Sequence, residues 1–117
     1  MSQLICFECK RTYLLDEPIW RCRCGGILDL HFKPLFNLDV IRERKPSMWR
    51  YKEAIPVEES SDIISFDEGF TPLLKIPILN RPILIKQEQI FHTGSFKDRG
   101  ASVLISQIKA LGIKHVV

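Results

Sequence analysis

The sequence predicts an α/β chain in three unlike parts: a small amino-terminal β element, an extended connector, and an incomplete β-α-β unit. Three observations carry this prediction. All four cysteines lie near the start, prolines are spread through the middle, and a strand-helix-strand pattern occupies the end. We place the three parts at residues 1–32, 33–79 and 80–117. A chain of 117 residues has room for one domain or two very small ones, which excludes a large multidomain enzyme.

Composition and charge describe an ordinary globular chain. Hydrophobic residues make up 45% of it and charged residues 26%, with a formal net charge of +3. That charge is too small to predict nucleic-acid binding. The longest stretch without a charged side chain, residues 100–108, is far shorter than a membrane span. The start lacks the basic and apolar segments of a secretion signal, so we expect a cytoplasmic protein.

Short apolar runs in the first part predict a small β-ribbon with tight hairpins. The runs lie at residues 13–15, 19–20 and 27–30. Residues 16–18 between the first two runs are typical of a turn, because Pro18 fixes φ and has no N–H to donate.

The four cysteines form two close pairs, Cys6 with Cys9 and Cys22 with Cys24, separated by twelve residues. A hairpin between the pairs would bring four thiolates to one ion, the tetrahedral sulfur set that structural zinc prefers. The glycines at 25–26 would let main-chain N–H groups point at the thiolates. Reduced structural thiols and disulfides are the alternatives, although disulfides are disfavoured in the cytosol. With four cysteine ligands the metal would stabilise folding and leave no open position for catalysis.

Basic and aromatic side chains also alternate in this first part, a combination that single-stranded nucleic acid can use. Acidic residues interrupt the basic stripe, so a solvated surface is the expected interpretation, and nucleic acid is not an expected partner.

The connector is predicted to hold only short helices. Prolines at 34, 46, 56, 72 and 77 limit any helix, and the best candidates are residues 38–44 and 48–54.

The third part is the most regular. Residues 83–86 predict a strand, residues 95–111 a helix, and residues 115–117 the start of a second strand. Ser95 and Asp98 match a capping box at the start of the helix, and Gly112 is typical of its end. One helix face, predicted to cover a sheet, carries Phe96, Gly100, Leu104, Ile108 and Leu111.

Lys97 lies at the start of this helix, where the macrodipole favours anions rather than cations. A positive helix terminus would destabilise the ammonium form and leave more neutral amine to attack a carbonyl, which is Schiff-base chemistry. An exposed lysine paired with Asp98 or with a neighbouring helix is the alternative. His92 nearby is interpreted as a polar loop residue rather than a base.

The segment Thr-Gly-Ser-Phe-Lys-Asp-Arg-Gly at residues 93–100 resembles the cofactor-lysine motif of threonine synthase and its relatives among the fold-type II pyridoxal-phosphate enzymes. Other segments agree in order and spacing. Residues 6–26 resemble the zinc-ribbon-like element of some threonine synthases, and residues 49–57 resemble the segment that follows it. Residues 68–73 resemble a Gly-x-Thr-Pro-Leu turn of the family, and residues 86–88 also match. The resemblance covers nearly the whole chain.

The resemblance implies that the third part begins a fold-type II pyridoxal-phosphate domain, with Lys97 as the catalytic and cofactor-binding residue. Ser95 and Phe96 would help to place it. The implied lyase reaction converts O-phosphohomoserine and water to threonine and phosphate, with the cofactor ring as electron sink. Threonine dehydratase-like and cysteine synthase-like enzymes share the lysine motif in looser form.

Two departures from the family pattern limit what this chain is expected to do alone. Phe91 and His92 stand where the family usually has Asn-Pro, and the family continues beyond residue 117 into substrate and phosphate loops. We therefore expect the amino-terminal piece of such an enzyme, inactive without a complementing chain. A zinc-ribbon module that binds a protein or nucleic acid, and a non-catalytic subunit that pairs with another copy, are the alternatives.

Overall fold

The structure, a computed structural model, describes residues 2–57 and 62–116 and has the mixed α/β composition that the sequence predicts. Its strands are β1 (Gln3–Cys6), β2 (Thr12–Leu14), β3 (Leu28–His31), β4 (Leu73–Ile78) and β5 (Arg81–Lys86); its helices are α1 (Leu38–Glu43) and α2 (Asp98–Ala110). Two 3₁₀ segments span Met48–Ala54 and Glu88–Ile90. No helix in the described ranges is long and apolar enough to cross a bilayer.

The first three strands form one antiparallel sheet in the order β2-β1-β3. Its small core contains Cys6, Tyr13 and Cys22, with Leu4 packed against them. The central strand β1 was missed by the sequence analysis.

The run at residues 19–20 forms no strand, so that part of the prediction was wrong. The expected turn does form, because the Leu14 N–H donates to the Glu17 side chain and the Ile19 N–H donates to the Glu17 carbonyl. The chain then leads directly into the second cysteine pair, and the side chain of Trp20 is 84% exposed.

The connector contains both predicted short helices, α1 and the 3₁₀ segment Met48–Ala54. It also contains strand β4, which was not predicted. β4 and β5 pair as an antiparallel hairpin around Leu79 and Asn80, whose φ angles are 48° and 60°. Two successive residues with positive φ are typical of the type I′ turn that joins twisted strands. Strand β5, expected to belong to a parallel unit, therefore pairs with its neighbour in sequence.

Helix α2 begins at Asp98, three residues later than predicted, and ends as predicted at a glycine. Gly112 has a φ of 66°, its N–H donates to the Lys109 carbonyl, and the Ile113 N–H donates to the Ile108 carbonyl. These two bonds form a Schellman motif, which needs the left-handed residue that glycine supplies.

The predicted apolar face of α2 is not the buried face. Phe96 and Leu104 are 66% and 58% exposed, whereas Asp98, Ser102 and Ser106 are buried. The helix packs through hydrogen bonds against the connector instead of covering a sheet.

The second strand of the predicted β-α-β unit does not form within the described residues. His115 and Val116 pair with no strand there, and Val117 lies outside the described ranges. The complete unit and the three domain boundaries remain predictions.

Candidate functional site

The four cysteines predicted as metal ligands meet at one end of the ribbon. Their Sγ atoms all lie within 4.8 Å of one another. Three of the Sγ–Sγ distances are 3.6 Å (Cys6 to Cys24), 3.5 Å (Cys9 to Cys22) and 3.5 Å (Cys22 to Cys24). Four sulfurs bound tetrahedrally at the usual Zn–S distance would lie about 3.8 Å apart. The cluster therefore fits a zinc ion in both donor type and spacing.

The same distances argue against the disulfide alternative, because a disulfide bond is about 2.0 Å long and all four cysteines are free. Two glycines shape the second pair. Gly25 has a φ of 88°, and its N–H donates to the Cys22 carbonyl at 2.8 Å. A Cβ on Gly26 would lie 2.8 Å from the Sγ of Cys6, so only glycine fits there.

Hydrogen bonds set unequal acidities within the cluster. The main-chain N–H of Cys24 and the hydroxyl of Tyr13, 3.2 Å from the Cys22 sulfur, lower the pKa of Cys22 to about 6. For Cys24, the Gly26 N–H lowers the pKa, but contacts with the other three thiols outweigh it and raise the pKa to about 12. Donors to thiolates of this kind orient the ligands of a metal site and tune them.

Lys97 lies in the last turn before α2, with φ of −63° and ψ of −20°. Its N–H donates to the Ser95 Oγ at 3.2 Å, so Ser95 fixes the main chain at the lysine. The side chain of Lys97 is exposed. Among the described residues, no carboxylate lies within 4 Å of its amine, and the alternative of an ion pair with Asp98 is not what the structure shows.

Asp98 is buried and accepts two hydrogen bonds from Thr93, one from its N–H at 3.1 Å and one from its hydroxyl. The predicted capping box, in which Asp98 would reach the N–H of Ser95, is therefore wrong in its partner. The carboxylate spans five residues instead of three because a turn, rather than regular helix, occupies residues 95–97. The effect is to close residues 93–98 into a tight loop that holds Lys97 at its outer edge.

The first departure from the family pattern, Phe91 with His92 in place of Asn-Pro, falls in the loop before this motif. Phe91 is buried, with the Arg99 guanidinium 5.0 Å from its ring centre, and the His92 ring centre lies 5.0 Å from that of Phe66. Both rings therefore anchor the loop that leads to Lys97.

One carboxylate that was not predicted, that of Glu88, joins three of the motif segments. Glu88 accepts two hydrogen bonds from Arg99, at 2.6 and 2.8 Å, and one from the Thr71 hydroxyl at 2.6 Å. The guanidinium lowers the pKa of Glu88 to about 2. Each of these residues lay in a segment quoted for the resemblance, but residue type alone gave no reason to connect them.

Two further contacts join the 3₁₀ segment Met48–Ala54 of the connector to α2 and to the turn at residues 68–73. The Trp49 Nε1 donates to the Ser102 Oγ at 2.9 Å, deep between the connector and the helix. A Cβ on Gly69 would lie 2.4 Å from the Met48 nitrogen, so the two segments touch at main-chain distance. Four segments of the resemblance therefore converge around the start of α2.

No protein-family model matches the chain. Among curated proteins, it is 36% identical to the threonine synthase of Methanocaldococcus jannaschii over 95% of its length, and 35% identical to that of Methanosarcina acetivorans over 99%. It is 32% identical to the chloroplastic threonine synthase 2 of Arabidopsis thaliana over 86% of its length. The chain spans 30% of the length of each of the first two relatives and 24% of the third.

Proposed function

Because nearly the whole chain is similar to the amino-terminal portion of threonine synthases, we propose that it is the cofactor-lysine part of a pyridoxal-phosphate-dependent lyase. The observation that carries the proposal is the motif at residues 93–100, in which a tight loop presents the exposed amine of Lys97 at a helix start. The proposed reaction converts O-phosphohomoserine and water to threonine and phosphate, in a cytoplasmic pathway of amino-acid synthesis.

The residues present fit one half of the cofactor site. Lys97 would hold pyridoxal phosphate through its amine and afterwards carry protons to and from the substrate carbons. The bound cofactor supplies an electron sink for those proton transfers. Ser95 and Asp98 keep the main chain of the loop in place. The Lys97 side chain therefore starts from a fixed main-chain position, while its amine remains accessible.

We propose that the other half of the site is formed by the part of the family fold that lies outside residues 1–117, whether it is joined to them or supplied by a complementing chain. The chain spans less than a third of its relatives, and the family's substrate and phosphate loops belong to the remaining part. Large apolar side chains on the hairpin and on α2 are exposed, among them Leu73 at 57%, Leu84 at 59% and Leu104 at 58%. Such a surface is typical of one that another polypeptide covers.

We further propose that Cys6, Cys9, Cys22 and Cys24 hold one zinc ion with a structural role. Only three residues form the core of the ribbon, so metal binding would supply stability that burial cannot. All four positions of a tetrahedral ion would be filled by sulfur, which leaves none for substrate.

The test is an absorbance titration of the purified chain with pyridoxal phosphate, using Lys97→Ala and, as a matched control, Lys114→Ala. Lys114 is an exposed lysine beyond the end of α2. We expect a visible band in the wild type and in Lys114→Ala, and a clearly weaker band in Lys97→Ala at the same cofactor concentration. Identical spectra in all three proteins would overturn the assignment of Lys97 and favour a zinc-ribbon module without a cofactor.

A further inference from the structure

A cleft of about 410 Å³ lies between the connector, the end of the β4–β5 hairpin and the first turn of α2. Three cationic side chains line it, those of Arg50, Lys86 and Arg99, together with the rings of Tyr51 and Phe70. Neither the cysteine cluster nor Lys97 contributes to its wall. The cleft thus combines positive charge with an apolar rim, the pattern of a site for an anionic small molecule.

The charges in this cleft do not cancel. Glu88 is shared by Arg99, at 2.6 Å, and by Lys86, at 3.5 Å. In the described part of the chain, no carboxylate lies within 4 Å of Arg50. Three cations and one carboxylate leave a net charge of +2, which balances the charge of about −1.5 to −2 on a phosphate monoester near neutral pH.

Arg50 is held in position before any ligand arrives. Its Nε and Nη2 donate to the Ile41 carbonyl at 3.1 and 2.8 Å, and Ile41 is buried. The Nη1 group has no hydrogen-bond partner among the residues that the structure describes. A guanidinium fixed on one edge and free on the other is prepared to donate to an oxyanion, and little side-chain entropy would be lost on binding.

The two aromatic rings of the rim lie near Arg50, and the main chain of one of them is strained. The centres of the Tyr51 and Phe70 rings lie 5.7 and 5.9 Å from the Arg50 guanidinium. Phe70 has a φ of 53°, a left-handed conformation that a bulky residue rarely adopts, and its ring is 69% exposed. Strained backbone of this kind concentrates at ligand sites. Here it holds an exposed ring beside the cationic wall of the cleft.

The cleft is separate from the lysine site. Lys97 precedes α2, whereas Arg99 lies in its first turn. Arg99 points to Glu88 and into the cleft, whereas Lys97 is exposed outside it.

We propose that this cleft binds a small organic phosphate. Its phosphate group would lie against Arg50 and Lys86, and its apolar part against Tyr51 and Phe70. The inference does not depend on the proposed function, because it uses no residue assigned to the cofactor or the metal. Two sources share this chemistry: O-phosphohomoserine bound at a second site apart from Lys97, and an unrelated phosphorylated effector.

The test is a titration of the full chain with phenyl phosphate, followed by proton–nitrogen NMR spectra. Inorganic phosphate and phenol serve as the two partial probes. We expect phenyl phosphate to shift the resonances of cleft residues and to bind more tightly than inorganic phosphate, while phenol does not bind. Lys86→Gln should weaken phenyl phosphate at least about 10-fold, because a charge-assisted hydrogen bond is lost. Lys75→Gln, on the same hairpin but outside the cleft, should not.

Arg50→Gln should weaken binding as much as Lys86→Gln. Because Arg50 also bonds to the Ile41 carbonyl, its replacement can disturb the fold. The Lys86 variant therefore tests the cleft without removing that bond. Unchanged affinity in Lys86→Gln, or equal effects of Lys86→Gln and Lys75→Gln, would overturn the proposal, as would binding of phenol as tight as that of phenyl phosphate. Where the cleft binds as expected, displacement of phenyl phosphate by O-phosphohomoserine identifies the substrate as the source, and no displacement identifies an effector.

Discussion

Replacement of Ser102 by alanine should loosen the attachment of α2 to the connector. The Ser102 hydroxyl accepts from the Trp49 Nε1 at 2.9 Å and donates to the Ile64 carbonyl at 2.7 Å. Trp49 is 8% exposed and Ser102 is 5% exposed, so water cannot replace the bond to the indole. The bond to the Ile64 carbonyl is only partly buried, so water can compensate for part of its loss.

The expected loss of stability follows from the different burial of these two hydrogen bonds. A buried donor left without a partner costs about 1 to 3 kcal/mol, and a lost bond to an accessible carbonyl about 1 kcal/mol or less. We therefore expect Ser102→Ala to lower the free energy of unfolding by about 1 to 4 kcal/mol. The assay is urea denaturation of the zinc-loaded chain, followed by far-ultraviolet circular dichroism.

A double-mutant cycle with Trp49→Phe isolates the bond itself. Once the indole N–H has been removed, Ser102→Ala should cost about 1 kcal/mol less than it does in the wild type, because no donor is left without a partner. A loss below about 0.5 kcal/mol in the single variant, the level of an ordinary surface change, or no coupling in the cycle, would refute the packing of α2 on Trp49.

Three further outcomes follow from named contacts. Gly26→Ala places a Cβ 2.8 Å from the Cys6 sulfur. We therefore expect the zinc affinity, measured by competition with a chromogenic chelator, to fall roughly 10 to 100-fold. Unchanged affinity would contradict the geometry of the cluster. Gly100→Ala meets no atom within 4 Å, so it should stabilise α2 by about 0.5 to 1 kcal/mol in thermal unfolding, and destabilisation would contradict its open surroundings. Glu88 has its pKa lowered from 4.5 to about 2 beside Arg99, so its contribution to stability is present above pH 4.5 and is lost as the pH falls toward 2. Glu88→Gln should flatten that part of the curve of stability against pH, and a curve of unchanged slope would show that the ion pair contributes nothing.

The cysteine cluster could be predicted because its determinants are local in sequence. Two pairs of cysteines and a following pair of glycines predicted that the four sulfurs meet, and those of Cys6, Cys9, Cys22 and Cys24 do meet within one ribbon. The end of α2 was predictable for the same reason, since Gly112 supplies the left-handed residue that its last turn needs.

The hairpin and the buried face of α2 could not be predicted because they depend on partners distant in sequence. Leu79 and Asn80 adopt positive φ without a glycine, so the tight turn between β4 and β5 lacked its usual residue. The apolar periodicity of α2 indicated a sheet-covering face, but Ser102 and Ser106 are the residues that bond to the connector. Periodicity reports which face is apolar, not which polar face finds a hydrogen-bond partner.

The lysine site could be predicted only in part. Residue types alone did not decide whether Lys97 is a nucleophile or an exposed lysine in an ion pair. The resemblance of the surrounding motif, and not the charge of the lysine, indicated a cofactor. The hydrogen bonds that the Glu88 carboxylate accepts could not be predicted in the same way, because its partners Thr71 and Arg99 lie 17 and 11 residues away.

The most direct test of the central claim is to map where the cofactor attaches. The chain is incubated with pyridoxal phosphate, reduced with borohydride and digested, and the modified peptide is identified by mass spectrometry. We expect modification to be concentrated on Lys97 and to be suppressed when Asp98→Asn weakens the loop that presents it. Modification spread evenly over the exposed lysines, with Lys97 no more reactive than Lys114, would contradict the claim that this chain carries a cofactor lysine.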